Sequence, residues 1–221
     1  MNPYHVLENY FSNRKNLFSE FSLFEAGFYD FGYVLDLYYK LPFKKYDGLE
    51  KYKECELRVL FKNADDSRSS GGAYYSQESI YDRYLRYCEN TQIRTPINID
   101  KFSEIFTLKF ETPIEQYINE NSTINELFDI GFDIGIFSKL FHKFSDKNIP
   151  KKIVSWFYKT SKVNSFLYFT VMTSEEFACK GIDDIYTQED ISELKACFPG
   201  KVVEMFRCDS FETYLIRKNV E

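Results

Sequence analysis

Histidine is scarce in this sequence, and its scarcity removes much chemistry at once. The 221 residues hold two, His5 and His142. Neither lies in H-x-x-x-H or H-E-x-x-H, or beside a cysteine pair, the spacings that hold zinc. No metal and no other cofactor is expected on this basis. Gly-x-Ser-x-Gly and Gly-x-Gly-x-x-Gly are also absent, which excludes a nucleophile elbow and a phosphate-cradling fingerprint. The five cysteines (Cys55, Cys88, Cys179, Cys197, Cys208) are odd in number and never form C-x-x-C. That is too few for a disulfide framework, and it fits reduced thiols acting as small apolar residues.

No apolar run reaches the ~18 residues that a membrane-spanning helix needs. The first eight residues lack a basic stretch followed by an apolar one, so no secretory signal is read and a cytoplasmic location is expected. Positive charge is in deficit, with 28 Lys+Arg against 34 Asp+Glu and a net charge of −6. A general nucleic-acid binder needs a basic surface, so that class is disfavoured, and docking on anionic lipid with it. A basic partner suits such a charge better.

Apolar and aromatic residues are plentiful. Hydrophobic residues make up 44% of the chain and aromatics 19%, with 23 Phe and 18 Tyr. This excludes a disordered chain. A chain of this size buries roughly 70% of its unfolded surface and needs no disulfide or metal to hold a core. One domain over residues 1–221 is expected, with a hinge candidate in the polar, Gly- and Ser-rich loop 63–75.

Residues Val6, Leu7, Tyr10, Phe11, Leu17, Phe18 and Phe21 recur at spacings of three and four, which predicts a helix. Phe24, Phe28, Phe31, Val34, Leu35 and Tyr38 predict a second. Cys55, Leu57, Val59 and Phe61 alternate as a strand does. Ser76 is placed to cap a helix over Ile80–Cys88, residues 101–110 fit strand or helix, and Pro113 opens a short helix. A longer helix is predicted from Ile124 to about Phe144, and another from Pro150. Phe166–Met172 is strongly β-prone. Thr187-Gln-Glu-Asp190 carries a helix-capping signature, and Val202–Phe206 with Thr213–Ile216 fits a hairpin. The predicted fold class is α+β: a helix-rich N-terminal two-thirds packed with a small, mostly antiparallel C-terminal sheet.

Two groups stand out as candidate partner-binding residues. Helical spacing places Glu126, Asp129 and Asp133 on one acidic stripe, and a tandem Phe-Asp-Ile-Gly repeat (128–131, 132–135) runs through it. Tyr81 and Tyr84 lie among many tyrosines, a residue that brings contact area with few rotatable bonds. Without a catalytic motif, these features favour a non-enzymatic acidic binding protein. The type expected is an immunity or antitoxin-type inhibitor that occludes a basic toxin or nuclease domain. Two alternatives stay open: a structural or regulatory subunit of a larger assembly, and a carboxylate-dependent enzyme of the Mg²⁺ type.

Overall fold

Ser22-Leu-Phe-Glu-Ala forms strand β1 (Ser22–Ala26), and all five residues are buried. A strand covered on both faces has no solvent side, so its sequence lacks the polar–apolar alternation of a half-exposed strand. A computed structural model describes residues 2–28, 30–62, 68–70, 78–120, 131–138, 140–175 and 184–219. In it the two long N-terminal helices predicted from spacing break up. The first becomes α1 (His5–Phe11) and α2 (Lys15–Phe18). The second is β1 followed by α3 (Phe31–Lys40), which begins where the Asp30 carboxylate accepts the Gly32 N–H at 3.0 Å.

Strand β2 (Lys45–Leu49) follows. The strand predicted over 54–61 opens instead as a 3-10 turn at Glu54–Glu56, and only then becomes β3 (Leu60–Lys62). β3 pairs with β4 (Arg68–Ser70) in a separate two-stranded ribbon. α4 (Ile80–Asn90) is capped by Ser79; Ser76, the predicted cap, lies outside the described residues, as does most of the hinge candidate. Residues 101–110 are divided between α5 (Ile99–Ile105) and β5 (Phe106–Lys109). α6 (Ile114–Glu120), β6 (Ile134–Phe137), α7 (Asn148–Thr160), β7 (Phe166–Met172), α8 (Gln188–Ala196), β8 (Gly200–Arg207) and β9 (Phe211–Lys218) complete the order.

Seven strands form one sheet in the order β5-β2-β1-β6-β7-β9-β8. The pairs β5/β2, β2/β1, β1/β6 and β6/β7 are parallel. Only β9 runs antiparallel, between β7 and β8. The predicted fold class is therefore corrected. Four of the seven strands come from the part read as helical, and the C-terminal hairpin is the edge of the same sheet rather than a sheet of its own.

Alternating strand residues feed two cores, one on each face. Leu23, Tyr46, Phe106, Ile134 and Tyr168 pack with Phe11, Leu35, Tyr84 and Phe102. Phe24, Leu49, Phe137, Leu167 and Phe169 pack with Tyr117, Trp156, Phe157 and Leu194. Each fully buried side chain of this size contributes roughly 1.5–3 kcal/mol. α7 lies so close over β6 that a Cβ on Gly135 would sit 2.6 Å from the Phe157 ring.

The helix predicted over 124–144 is corrected as well. Residues 121–130 lie outside the described residues, Ile134–Phe137 is a strand, and Phe141–Lys143 is a 3-10 turn. The second copy of the Phe-Asp-Ile-Gly repeat thus leads into a strand buried on both faces.

Candidate functional site

β1 is where the sheet changes direction: β2 and β5 lie on one side of it, β6 and β7 on the other. In a doubly wound sheet the loops after neighbouring strands diverge there and leave a crevice outside the carboxyl ends. A cavity of about 560 Å³ occupies that place. Its size is ordinary for a small-molecule site. It is lined by residues that end β1 (Glu25, Ala26), by the loop to α3 (Gly27, Phe28, Asp30), by the end of β2 (Leu49, Glu50, Lys51, Tyr52) and by Thr112–Glu115 after β5. Ser138, Leu140, Lys143 and Phe144 follow β6, and Pro3 and Tyr4 arrive from the segment before α1.

Gly27 makes the sharp exit from β1. Its φ of +81° lies in the left-handed region, which a side chain disfavours, and an added Cβ would press on Leu140 at 3.3 Å. Gly27 N–H donates to Leu49 O at 2.9 Å, which keeps β1 and β2 paired to the cavity floor. Beyond β2 the chain is held by Glu50 N–H to Lys109 O and Thr112 N–H to Glu50 O, at 2.8 and 3.0 Å.

Glu50 is only 3% exposed. Its Oε1 accepts the N–H groups of Lys51 (2.8 Å) and Tyr52 (3.4 Å), while Oε2 has no hydrogen-bond partner among the described residues. Burial pushes this carboxyl above its ordinary range, and the two backbone donors only partly oppose that. A buried acceptor without a donor costs about 1–3 kcal/mol, which a ligand hydroxyl at this place would relieve.

Glu25 lies deeper, 2% exposed. Its Oε2 accepts the phenol O–H groups of Tyr4 and Tyr46, each at 2.7 Å. Burial raises its carboxyl to about 7; the two phenols oppose the rise and the Glu50 charge adds to it. Asp30 occupies the start of α3, where its Oδ1 accepts the N–H groups of Gly32 (3.0 Å) and Leu60 (3.2 Å). A carboxylate already holds this helix N-terminus, so the place does not suit a phosphate.

Of the residues singled out from the sequence, Asp133, Tyr81 and Tyr84 do not line this cavity. Glu126 and Asp129 are outside the described residues. Asp133 is tied to Ser22 and Lys162, at 2.8 and 2.7 Å, beyond the amino end of β6. Tyr84 is fully buried; its hydroxyl accepts the Ile97 N–H at 2.8 Å and meets that of Tyr39 at 2.6 Å. Tyr81 is half-buried beside it and donates to Ile97 O. Tyr84 belongs to the core beneath α4, and Tyr81 packs against that core. Glu50, Glu25 and Gly27 were missed because β1 was read as helix. The signal present in the sequence is a glycine, Gly27, directly after the short segment Ser22–Ala26, with an acid, Glu50, 23 residues on and directly after the next strand.

No family model matches the sequence, and no curated protein does. Solved structures match its fold. The N-methyltransferase NodS from Bradyrhizobium japonicum WM9, in complex with S-adenosyl-L-homocysteine, superposes with a TM-score of 0.57 at 12% identity, covering 99% of this chain and 86% of that one. The [4+2]-cyclase SpnF gives 0.54 at 10% identity, with 97% and 80% covered. The putative methylase HI0767 from Haemophilus influenzae gives 0.51 at 12%, with 97% and 89% covered. Likeness at such identity establishes architecture. The expectation of a non-enzymatic immunity-type inhibitor with a basic toxin as partner is corrected on this finding: the solved structures that share the architecture are methyltransferases and a cyclase, and this chain's own cavity lies at the switch point of its sheet. Among the described residues no helix is long and apolar enough to cross a membrane. The chain carries a Rossmann-like, doubly wound fold, the architecture that these solved methyltransferase structures share.

Proposed function

We propose that the crevice binds S-adenosylmethionine and that the protein transfers its methyl group to a small-molecule acceptor. The observation that carries this reading is Glu50: a buried carboxylate just past the end of β2, lining the cavity, whose Oε2 has no donor among the described residues. An acid in that place is suited to a ribose hydroxyl. The loop from β1 to α3 favours a ligand without phosphate. It has no glycine between Gly27 and Gly32, and Asp30 already takes the helix N-terminus. The carboxylates of Glu25 and Glu50 suit a cationic ligand over an anionic one.

When bound, S-adenosylmethionine supplies an electrophilic methyl group on a cationic sulfur. The chain's own residues supply position. Glu50 accepts from the ribose. Leu49, Tyr52, Pro113 and Ile114 give flat and apolar surface for a purine, and Gly27 lets the backbone pass close by. Leu140 and Phe144, after β6, exclude water from the acceptor side, where Ser138 and Lys143 are the polar groups. The fold also hosts a cyclase, so transfer itself rests on assay rather than on architecture.

Titration of S-adenosylmethionine into the wild type and into Glu50→Ala tests the reading. One saturable site is expected in the wild type, weakened about 10- to 100-fold in the variant, as loss of a hydrogen bond to a charged group implies. NAD, with its pyrophosphate, is expected not to compete. Absence of saturable binding to the folded wild type overturns the reading.

A further inference from the structure

The side chains of α7 divide between the core and a surface groove. Ile153, Val154 and Phe157 are fully buried. Asn148, Lys151, Lys152, Ser155, Trp156 and Lys159 line a groove of about 490 Å³, and none of them lines the cavity at the switch point. Every one of these side chains carries a hydrogen-bond donor, and no acidic residue is among them. A chain with a net charge of −6 thus gathers three cations on one helix. Lys151 is paired with Glu193 of α8. The ion pairs among the described residues do not take up Lys152 or Lys159, and both are exposed.

Trp156 follows Lys152 by one helical turn and precedes Lys159 by another, so the three share a stripe. It is only 7% exposed, and its Nε1–H has no hydrogen-bond partner among the described residues. An indole N–H can only donate, so only an acceptor from a ligand satisfies it. The ring is held edge-to-face by Tyr117 of α6 and Phe24 of β1, with centroids at 5.7 and 5.6 Å.

We propose that this groove is a second ligand site and that its ligand is a chain of phosphate groups. Lysine ammonium groups act as point charges and suit the dense negative charge of phosphate, whereas a planar carboxylate is gripped better by an arginine fork, and no arginine lines the groove. Lys152 and Lys159 are seven residues apart, about 10 Å along the helix axis. That span suits two or three linked phosphates better than one. The end oxygens meet the two ammonium groups, and the middle of the chain lies over Ser155 and Trp156, whose O–H and N–H donate to it. The site stands apart from the crevice and does not rest on the S-adenosylmethionine reading.

Tripolyphosphate and orthophosphate are titrated into the full chain at low ionic strength, where exposed charges are least screened. Calorimetry reads binding, and the emission of Trp156, the chain's single tryptophan, reads its place. Tripolyphosphate is expected to fill one saturable site about tenfold or more tighter than orthophosphate, with the fluorescence change following the same curve. The double variant Lys152→Gln, Lys159→Gln is expected to weaken it about tenfold or more while leaving the thermal midpoint in place, because both side chains are exposed. ATP is the third ligand. Affinity equal to that of tripolyphosphate identifies the phosphate chain as the whole ligand; tighter binding, lost in the same variant, extends the site to a nucleotide. Absence of saturable tripolyphosphate binding overturns the inference, and so does binding that the double variant leaves unchanged. Either of those results leaves the crevice reading untouched.

Discussion

Asp133 accepts the backbone N–H of Ser22 at 2.8 Å, across 111 residues of sequence. Its own N–H donates to Ser22 O at 2.9 Å, and Lys162 Nζ reaches the same carboxylate oxygen at 2.7 Å. The aspartate thus fastens the beginning of β1 to the beginning of β6, the two central strands of the parallel sheet. Asp133→Ala leaves the buried Ser22 N–H unpaired and is expected to cost about 1–3 kcal/mol. For a chain of this length that is a fall in Tm of roughly 3–10 °C, read by thermal denaturation. Ligand affinity is expected to change little, because Asp133 lies at the opposite end of the strands from the cavity.

Gly135 tests how tightly α7 presses on the sheet. A methyl group there meets three atoms of the Phe157 ring at 2.6–2.7 Å, and the ring is fully buried between β6 and Phe198. Overpacking of this kind costs about 1–3 kcal/mol. Gly135→Ala is expected to lower the denaturant midpoint without changing the slope of the transition.

The Glu25 carboxyl gives a pH dependence of stability with a definite sign. Its folded-state value of about 7 lies above the ordinary 4.5, so the folded chain holds the proton more tightly than the unfolded one. The stability it contributes is complete below pH 4.5 and is lost as pH rises to about 7. The loss amounts to roughly 3 kcal/mol. Glu25→Gln is therefore expected to stabilise the ligand-free chain at pH 8 and to leave it nearly unchanged at pH 4.5, measured by urea unfolding at both values.

Glu212 has the opposite sign. Burial raises its carboxyl, but Tyr214, Gln188 and Arg207 more than offset this and hold it below the ordinary range. Its contribution is present at neutral pH and is lost as the solution is acidified through its folded-state value. Glu212→Gln is expected to destabilise at pH 7 and to matter less under acid; a variant equally destabilised at both values would remove the ion network from the account.

Local signals in the sequence were legible where they act locally. Thr187-Gln-Glu-Asp190 caps α8 as its pattern implies: Thr187 Oγ1 accepts the Asp190 N–H at 3.2 Å, and Asp190 Oδ2 accepts the Thr187 N–H at 2.8 Å. Phe166–Met172 is a strand, and the C-terminal hairpin is present. What misled was burial. β1 and β6 are covered on both faces, so they lack the alternation that marks a half-exposed strand, and phenylalanines at spacings of three and four bridge strand and helix alike. With Phe24 and Phe28 fitting a helical spacing, the sequence alone offers no crevice that would join Glu25, Gly27 and Glu50. The acidic stripe, in turn, depended on a helix that Ile134–Phe137 does not form.

The structure of the chain with S-adenosylmethionine bound tests the central claim most directly. A ribose hydroxyl within hydrogen-bond distance of Glu50 Oε2, with the ligand lying across the carboxyl ends of β1 and β2, is the predicted result. A ligand seated elsewhere, or a crevice that stays empty at saturating ligand with Glu50 Oε2 still without a donor, would contradict it.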